Sequence, residues 1–374
     1  KHAREKKKRG SLHTDMQSGE SVDRSPAELG TACRSVLVRS LKDIAERGGG
    51  ADGSTRALIL SGGVDTSAIA EAAKEAGISF RHAITVLAGD PEAATDRPYA
   101  SKIAQLHNLE HHVVEISLDD LMGKHLEFCV KTLETFDGMQ LRNSMVVAAA
   151  LHKAKSLGME RVVTGDAADE LLGGYSFTWG SEDPVWSQKR AEMCSEWTFT
   201  CPTMAKALSM VAESPYMEPG FVDWALATTK KECIYTGDIE AYPGMEREPH
   251  VAGKMPLRNA YGDAVSAWRR KDPIEKGSGS TMLSNKDFWT GRVGAEELAR
   301  EKERILKEDK VTIRDEEHLI NYRAFVAAFP SGLPGRERHG KLPCVGCGYA
   351  LKHDKALFCH VCGAWPAQEV KKDP

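Results

Sequence analysis

The chain has 374 residues, of which 41% are hydrophobic and 28% are charged, and its 50 basic and 54 acidic side chains give a net charge of -4. This length exceeds one small module, since domains average about 150 residues, and the apolar content excludes a wholly disordered chain. The slightly acidic balance gives no support for a nucleic-acid-binding protein, and no apolar run approaches the roughly 20 residues that span a bilayer.

The N-terminal segment, from residue 1 to about residue 25, is predicted to be a disordered basic tail. Residues 1–10 hold six basic side chains and one acidic one, and a Ser-, Gly- and Asp-rich stretch without periodicity follows. A binding site for an anionic partner and the remnant of a targeting presequence are the alternatives. Apolar residues at helical spacing then predict a helix from Ala27 to Arg47.

From Arg56 onward, short aliphatic runs alternate with longer helical segments, which predicts an α/β fold with a doubly wound parallel sheet. The predicted strands span 56–61, 82–87, 112–116 and 161–164, and the helices among them span 66–76, 98–106, 118–135 and 141–157. After residue 175 the pattern predicts helices joined by loops, including charged helices at 295–307 and 315–329.

The first motif of chemical interest is LILSGGVDTSAIA at residues 58–70, where a predicted strand runs into two glycines and then a helix. Glycines let the backbone approach a ligand closely, and a helix N-terminus presents unpaired amides to phosphate oxygens. Asp65 would repel bare phosphate, but it suits a site in which Mg²⁺ bridges it to the anion. The motif therefore predicts a nucleotide site with its metal, and an ordinary capped strand-to-helix turn is the alternative.

A second motif, VVTGDAADELLGGY at residues 162–175, holds three carboxylates within five residues at a predicted strand end. In open α/β sheets the ligand crevice lies at the carboxyl ends of the strands. Three neighbouring carboxylates repel one another unless a metal ion or cationic side chains neutralise them. The motif therefore indicates a second part of the same ligand site.

These motifs resemble a known family. Residues 61–67 are similar to the SGGxDS/T loop of the PP-loop ATP pyrophosphatases, and residues 162–175 resemble the SGDGADELFGGY block of class II asparagine synthetases. Residues 254–260 (KMPLRNA) and 269–279 (RRKDPIEKGSG) are similar to two further blocks of that family, K-x-x-L-R-x-A and R-x-K-x-x-F-x-x-G. Residues 214–218 resemble its P-F-L-D segment loosely. The resemblance covers about residues 56–285.

The resemblance implies the synthetase domain of that family, in which ATP is cleaved between its α- and β-phosphates, a carboxylate is adenylated, pyrophosphate departs and the acyl group passes to ammonia or an amine. Aspartate is the default acid. Asp65 and Asp169 would hold Mg²⁺, Lys271 would stabilise developing charge and Asp166 would act as the base. The nucleotide site implied by the resemblance consists of Leu60, Ser61, Gly62, Gly63, Asp65, Thr66, Ser67, Val86 and Gly165.

The chain departs from the family pattern at three points. Asp166 stands where many members have Glu, and Ala167 stands where they have Gly. Typical members also begin with a glutaminase domain, which the 55 residues ahead of the first strand are too few to form. The expected nitrogen source is therefore free ammonia, an amine substrate or a partner glutaminase.

Two C-x-x-C pairs lie near the C-terminus, Cys344 with Cys347 and Cys359 with Cys362, separated by eleven residues and each followed by glycine. This spacing predicts a zinc ribbon whose four thiolates enclose a structural Zn²⁺, and a redox dithiol is the alternative. Nine cysteines without a disulfide framework favour a reducing compartment, either the cytoplasm or the matrix or stroma of an organelle.

Together these patterns predict four segments: a basic tail at 1–25, a PP-loop ATP pyrophosphatase domain at 26–285, a helical extension and linker at 286–335 and a zinc ribbon at 336–374. The predicted function is an ATP-dependent, amide-forming ligase that binds ATP, Mg²⁺ and a small carboxylate. Two alternatives remain, a non-catalytic subunit that keeps the fold within a larger assembly and a PP-loop enzyme that modifies tRNA. The acidic net charge weighs against the last of these.

Overall fold

The computed structural model describes residues 24–49, 52–237 and 250–369. The predicted basic tail falls almost entirely outside the described residues. In the part of the chain that the structure describes, no helix is both long enough and apolar enough to cross a bilayer.

A five-stranded parallel sheet forms the centre of the fold, with the strand order β3-β2-β1-β4-β5. The strands are β1 Arg56–Ile59, β2 His82–Ala88, β3 Glu110–Ile116, β4 Arg161–Val163 and β5 Val211–Glu213. Strand β2 is buried along its whole length, as expected for a parallel strand covered by helices on both faces. The predicted α/β class with a parallel sheet is confirmed. Strand β5 was not predicted, because its three residues (VAE) lack an apolar run such as the Val162–Val163 pair of β4.

Helices surround this sheet and continue beyond it. They are α1 Pro26–Arg47, α2 Val64–Ala76, α3 Arg97–Leu106, α4 Leu118–Leu133, α5 Gly138–Ser156, α6 Ala168–Leu171, α7 Val185–Glu196, α8 Thr200–Ala207, α9 Pro219–Leu226, α10 Lys230–Cys233, α11 Met255–Ala260, α12 Ile274–Ser278, α13 Lys286–Thr290, α14 Ala295–Glu308 and α15 Glu316–Ala328. A short antiparallel pair, β6 Tyr235–Gly237 with β7 His250–Ala252, lies outside the sheet.

Two apolar cores lie against the sheet. One joins α1, α2, α3 and α11, and the other joins α4, α5, α8 and α15 together with the four C-terminal cysteines. The cysteine-rich segment is bonded to this second core by its backbone. The Val361 carbonyl accepts hydrogen bonds from the Phe136 amide at 2.7 Å and the Thr135 hydroxyl at 3.2 Å, and the Cys362 carbonyl accepts one from Arg314 at 2.8 Å.

Helix α1 begins with a capping box and packs against α11. Ser25 accepts a hydrogen bond from the Glu28 amide while the Glu28 carboxylate accepts one from the Ser25 amide, which satisfies donors that the first turn leaves free. The approach to α11 depends on Gly30, where an added Cβ would lie 2.7 Å from the carbonyl carbon of Asn259. Because α11 follows directly on Lys254, this contact helps to fix the position of that residue.

We predict that Gly30→Ala destabilises the protein by about 1–3 kcal/mol, because the methyl group overpacks a contact between two backbones. Denaturant unfolding followed by circular dichroism measures the change. Gly123→Ala is the matched control, since its Cβ would meet nothing within 4 Å and alanine should stabilise helix α4 by up to about 1 kcal/mol. Equal stability of Gly30→Ala and the wild type would contradict the close packing of α1 on α11.

Candidate functional site

A cavity of about 280 Å³ opens at the carboxyl ends of β1 and β4, where a parallel α/β sheet is expected to bind its ligand. Seven separate stretches of the described chain line it. Among the predicted site residues, those that line the cavity are Ser61, Gly63, Asp65, Thr66, Gly165, Asp166, Asp169 and Lys271. The structure therefore brings together residues that lie up to about 210 positions apart in the sequence.

The loop after β1 leads directly into helix α2. Gly63 is its N-cap residue and Asp65 lies in the first turn. The amides of a first helical turn lack partners within the helix, and the helix dipole places partial positive charge at the same end. The loop thus presents backbone donors, the Ser61 and Thr66 hydroxyls and one carboxylate to the cavity, an arrangement suited to a metal-bound phosphate.

A buried lysine joins the two aspartates that the sequence predicts as metal ligands. The Lys254 Nζ lies 2.8 and 2.6 Å from the two carboxylate oxygens of Asp65 and 2.8 Å from Oδ1 of Asp169. The side chain of Lys254 is only 3% exposed. On the outer side, the Lys271 Nζ lies 2.6 Å from Oδ2 of Asp169. The two carboxylates therefore share the Lys254 ammonium, and Asp169 also pairs with Lys271.

Burial and charge act against each other on these groups. Burial alone would raise the pKa of Asp169, but Lys254 and Lys271 outweigh it and lower that pKa. Burial likewise opposes the charge of Lys254, yet Asp169 and Asp65 outweigh it and raise the pKa of the ammonium. Asp169 and Lys254 are consequently ionised at neutral pH and stay together as an ion pair.

The donor set fits a magnesium ion. Carboxylate oxygens are the ligands that Mg²⁺ prefers, and two carboxylates offer about eight lone-pair positions. The ammonium groups make four close contacts with them, so positions remain for a metal ion brought by a nucleotide. Asp65 and Asp169 are the residues that would hold it.

Asp166 has a different environment from Asp169. Burial raises the pKa of Asp166 to about 6, opposed by a hydrogen bond from Thr164 and assisted by the charges of Glu170 and Asp65. Its Oδ2 is buried and has no hydrogen-bond partner among the described residues. A carboxylate with a pKa near the working pH can take a proton from a reacting group. The next residue, Ala167, has φ +77°, which explains why glycine suits this position in related sequences.

Four predicted nucleotide-binding residues, Leu60, Gly62, Ser67 and Val86, are not among the residues that line the cavity. The Leu60 amide donates to the Ile84 carbonyl at 2.8 Å, and its own carbonyl accepts from the Thr85 hydroxyl at 2.7 Å. Ser67 and Val86 are buried. An added Cβ at Gly62 would lie 2.7 Å from the Asp96 carbonyl oxygen. These residues support the loop from the side of the protein interior and do not line the cavity.

Sequence reasoning assigned no role to four cations that line the cavity, Lys254, Arg258, Arg269 and Arg270. Arg258 is buried and donates to the nearby Gly253 carbonyl at 2.8 Å, and Arg269 pairs with Asp96 at 2.8 Å. All four lie within the matched blocks at 254–260 and 269–279, so a sequence signal was present. The aspartate partners of Lys254 and the Asp96 partner of Arg269 are distant in sequence and could not be identified from local spacing.

A second cavity of about 670 Å³ shares Lys271 with the first. Its walls include Tyr175, Phe177 and Trp179, and Arg270 and Glu275 supply charge. The Tyr175 and Phe177 rings stack with centroids 5.3 Å apart. A molecule held in this second cavity would lie beside the Lys271 ammonium.

The four C-terminal cysteines converge on one point. The sulfur atoms of Cys344 and Cys362 lie 3.6 Å apart, those of Cys347 and Cys359 lie 3.7 Å apart, and all four cysteines are free thiols. Zinc–thiolate bonds of about 2.3 Å in a tetrahedron separate the sulfurs by about 3.8 Å. The geometry therefore fits a zinc ion with no open coordination position.

Residues 55–194 of the chain match a family model that is described as "Asparagine synthase". Asparagine synthetase [glutamine-hydrolyzing] 2 of Arabidopsis thaliana is 26% identical over 262 residues, which cover 62% of this chain and 44% of the relative. Asparagine synthetase B [glutamine-hydrolyzing] of Escherichia coli (strain K12) is 23% identical over 245 residues, which cover 60% of this chain and 42% of the relative. The chain thus spans less than half the length of these relatives.

Solved structures also overlap with the chain, at low scores. NMN synthetase from Francisella tularensis has a TM-score of 0.27 at 15% identity, over 69% of this chain and 95% of that one. The NH3-dependent NAD synthetase from Campylobacter jejuni has a TM-score of 0.26 at 13% identity, over 76% of this chain and 95% of that one. Scores this low support no functional comparison.

The family match begins next to β1 and includes both the loop after β1 and the acidic turn after β4. The relatives match a larger part of the chain, about 60% of its residues. The chain therefore contains an asparagine synthase domain, which the family model matches over residues 55–194.

Proposed function

We propose that this protein is an ATP-dependent carbon–nitrogen ligase that adenylates a small carboxylate, releases pyrophosphate and transfers the acyl group to ammonia or an amine. The observation that carries the proposal is the convergence of Asp65, Asp169, Lys254 and Lys271 beside the phosphate loop. Aspartate is the first acid to test, because the relatives are named asparagine synthetases. We further propose that residues 26–285 form the ligase domain and residues 286–335 its helical extension.

In the first step, the triphosphate would lie along the loop at Ser61–Thr66, and Asp65 and Asp169 would hold its metal. An oxygen of the substrate carboxylate attacks the α-phosphorus, and the bond from that phosphorus to the bridging oxygen of the β-phosphate breaks. Pyrophosphate leaves with the bonding electrons. Lys271, fixed by Asp169, offsets the negative charge that grows on the phosphoryl oxygens. Bound magnesium supplies further charge neutralisation.

In the second step, the nitrogen of ammonia or an amine attacks the carbonyl carbon of the acyl-adenylate, and AMP departs. The attacking nitrogen must lose a proton, and Asp166, ionised above its pKa of about 6, is the nearest candidate to accept it. The second cavity, with Lys271 in its wall, offers room for the acid or the amine beside the nucleotide.

We predict that Asp65→Ala lowers pyrophosphate release about 10²–10³-fold. Removal of this carboxylate deprives the buried Lys254 ammonium of one of its two negative partners and leaves the metal one ligand short. Purified protein is assayed with ATP, Mg²⁺, ammonium and a panel of carboxylic acids that includes aspartate. Asp223→Ala, an exposed position on α9, is the control and should retain wild-type turnover. A wild-type protein that fails to bind ATP at millimolar concentration would instead support a non-catalytic subunit.

We predict that amide formation falls tenfold for each pH unit below about pH 6, because protonation removes Asp166 as a base. The rate is expressed per free ammonia, which separates this effect from the titration of ammonium. Asp166→Asn should keep ATP–pyrophosphate exchange and lose most of the amide product. An unchanged rate of amide formation in Asp166→Asn would exclude this residue as the base.

We also propose that residues 336–374 form a ribbon in which Cys344, Cys347, Cys359 and Cys362 bind a structural Zn²⁺. The sulfur spacing of 3.6–3.7 Å and the burial of all four cysteines support it. A zinc ion with four thiolate ligands has no open position for catalysis. Free thiols throughout the chain favour a reducing compartment.

We predict that Cys347→Ser releases zinc from this site and lowers the melting temperature by several degrees, because the ribbon shares a core with α4 and α15. Zinc is measured by elemental analysis after dialysis against a weak chelator. Cys194→Ser, a cysteine outside the cluster, should keep both the zinc and the melting temperature. Retention of zinc by Cys347→Ser would contradict the four-thiolate site.

A further inference from the structure

A group of three potential metal ligands lies at the amino ends of β2 and β3, away from the cavity at the carboxyl ends of β1 and β4. His82 and Glu110 are the first residues of the two strands and pair directly in the parallel register. His112 follows Glu110 by two residues, so its side chain leaves β3 on the same face. The register itself therefore brings two imidazoles and one carboxylate together.

The distances among these ligands are close to those of a metal site. The carboxylate oxygens of Glu110 lie 3.5 Å from Nδ1 of His82 and 3.4 Å from Nε2 of His112, and the two nitrogens are 2.9 Å apart. Zinc bonds to nitrogen and oxygen of about 2.0–2.2 Å at tetrahedral angles separate the ligands by about 3.3–3.6 Å. Each imidazole nitrogen already has this distance to one carboxylate oxygen, His82 to Oε2 and His112 to Oε1 of Glu110. For one oxygen to serve as the third ligand, the Glu110 carboxylate must rotate, and the two nitrogens must separate by about half an ångström.

The burial of the group suits a site that an ion can reach. The imidazole side chains of His82 and His112 are 8% and 14% exposed, whereas Glu110 is 54% exposed. The nitrogens are thus held in fixed positions within the protein, and the carboxylate side remains open to an arriving ion and a water molecule. Nδ1 of His82 and Nε2 of His112 form a hydrogen bond with each other, so an arriving ion would displace the proton between them and bind the freed imidazole nitrogens.

Charges around the group act in opposite directions. Glu110 attracts a cation, while Arg81 lies 3.8 Å from its carboxylate and Lys153 on α5 acts on His112. Burial, followed by the charge of Lys153, lowers the pKa of His112 despite the presence of Glu110. The basic neighbours therefore weaken the attraction of this group for an ion.

We propose that His82, Glu110 and His112 form a second metal site, which binds Zn²⁺ with water in the fourth position and links the edge strand β3 to β2. Imidazole nitrogens with one carboxylate suit zinc and its neighbouring transition metals, whereas magnesium prefers oxygen ligands alone. The site requires no other part of the molecule, so it does not depend on the proposed ligase activity.

The test is a zinc titration of the full chain against a chromophoric chelator, followed by elemental analysis. We expect two zinc ions per wild-type chain, one on the four cysteines and a weaker one that His112→Ala abolishes. Glu110→Gln, at an exposed position, should lower the affinity for that second ion by at least about tenfold without affecting folding. His107→Ala is the matched control, because His107 is a partly buried histidine that pairs with the Glu71 carboxylate at 3.1 Å but has no part in the three-ligand group.

Cobalt provides an independent readout that identifies the ligands. Co²⁺ on four thiolates gives intense charge-transfer bands in the near ultraviolet, and Co²⁺ on two histidines and a carboxylate gives only weak visible bands. We expect the second equivalent of Co²⁺ to add the weak bands in the wild type and in His107→Ala, and to add none in His82→Ala or His112→Ala. One zinc per wild-type chain, or a second ion that is retained in both histidine variants, would overturn the proposal.

Discussion

The ammonium of Lys254 between Asp65 and Asp169 is the interaction on which the arrangement of the site depends. Two carboxylates about 4 Å apart repel each other by about 4 kcal/mol at an effective dielectric constant of 20, and the buried ammonium of Lys254, which contacts both Asp65 and Asp169, offsets such repulsion. The three residues come from the loop after β1, the turn after β4 and the start of α11. The lysine therefore holds three distant stretches of chain at one point, with its own backbone at φ +62° and its amide bonded to the Leu172 carbonyl at 2.9 Å.

Local patterns predicted most of the elements of the sheet region. The hydrophobic runs located β1 to β4 within two residues at each end, and the helices among them within three. Burial along the whole strand explains the clear apolar signal of β2, and the pair Val162–Val163 indicated the short strand β4. Strand β5 and the antiparallel pair of β6 with β7 are three-residue strands without such an apolar run, and their pairing is decided by tertiary contact.

The sequence motifs indicated the candidate ligand-binding residues of the site. They indicated less well the residues that hold those side chains in place. Asp65, Asp166, Asp169 and Lys271 all line one cavity, as their place in motifs at strand ends indicated. The role of Lys254 could not be derived, because its two partners lie 189 and 85 positions away and spacing along the chain says nothing about them. Leu60 and Ser67 lie inside the phosphate motif, yet they face the protein interior, which a linear motif does not specify.

The bonding of the C-terminal cysteines to the second core has a consequence for synthesis of the protein. The Phe136 amide, next to the start of α5, is bonded to the Val361 carbonyl, and the Phe136 ring packs on His318 and Phe325 of α15. At about 5–20 residues per second, the ribosome takes roughly 10–45 s to proceed from α5 to residue 362. During that interval the apolar face of α4 and α5 lacks its cover, so the nascent chain presents a binding surface to chaperones until the last cysteine emerges.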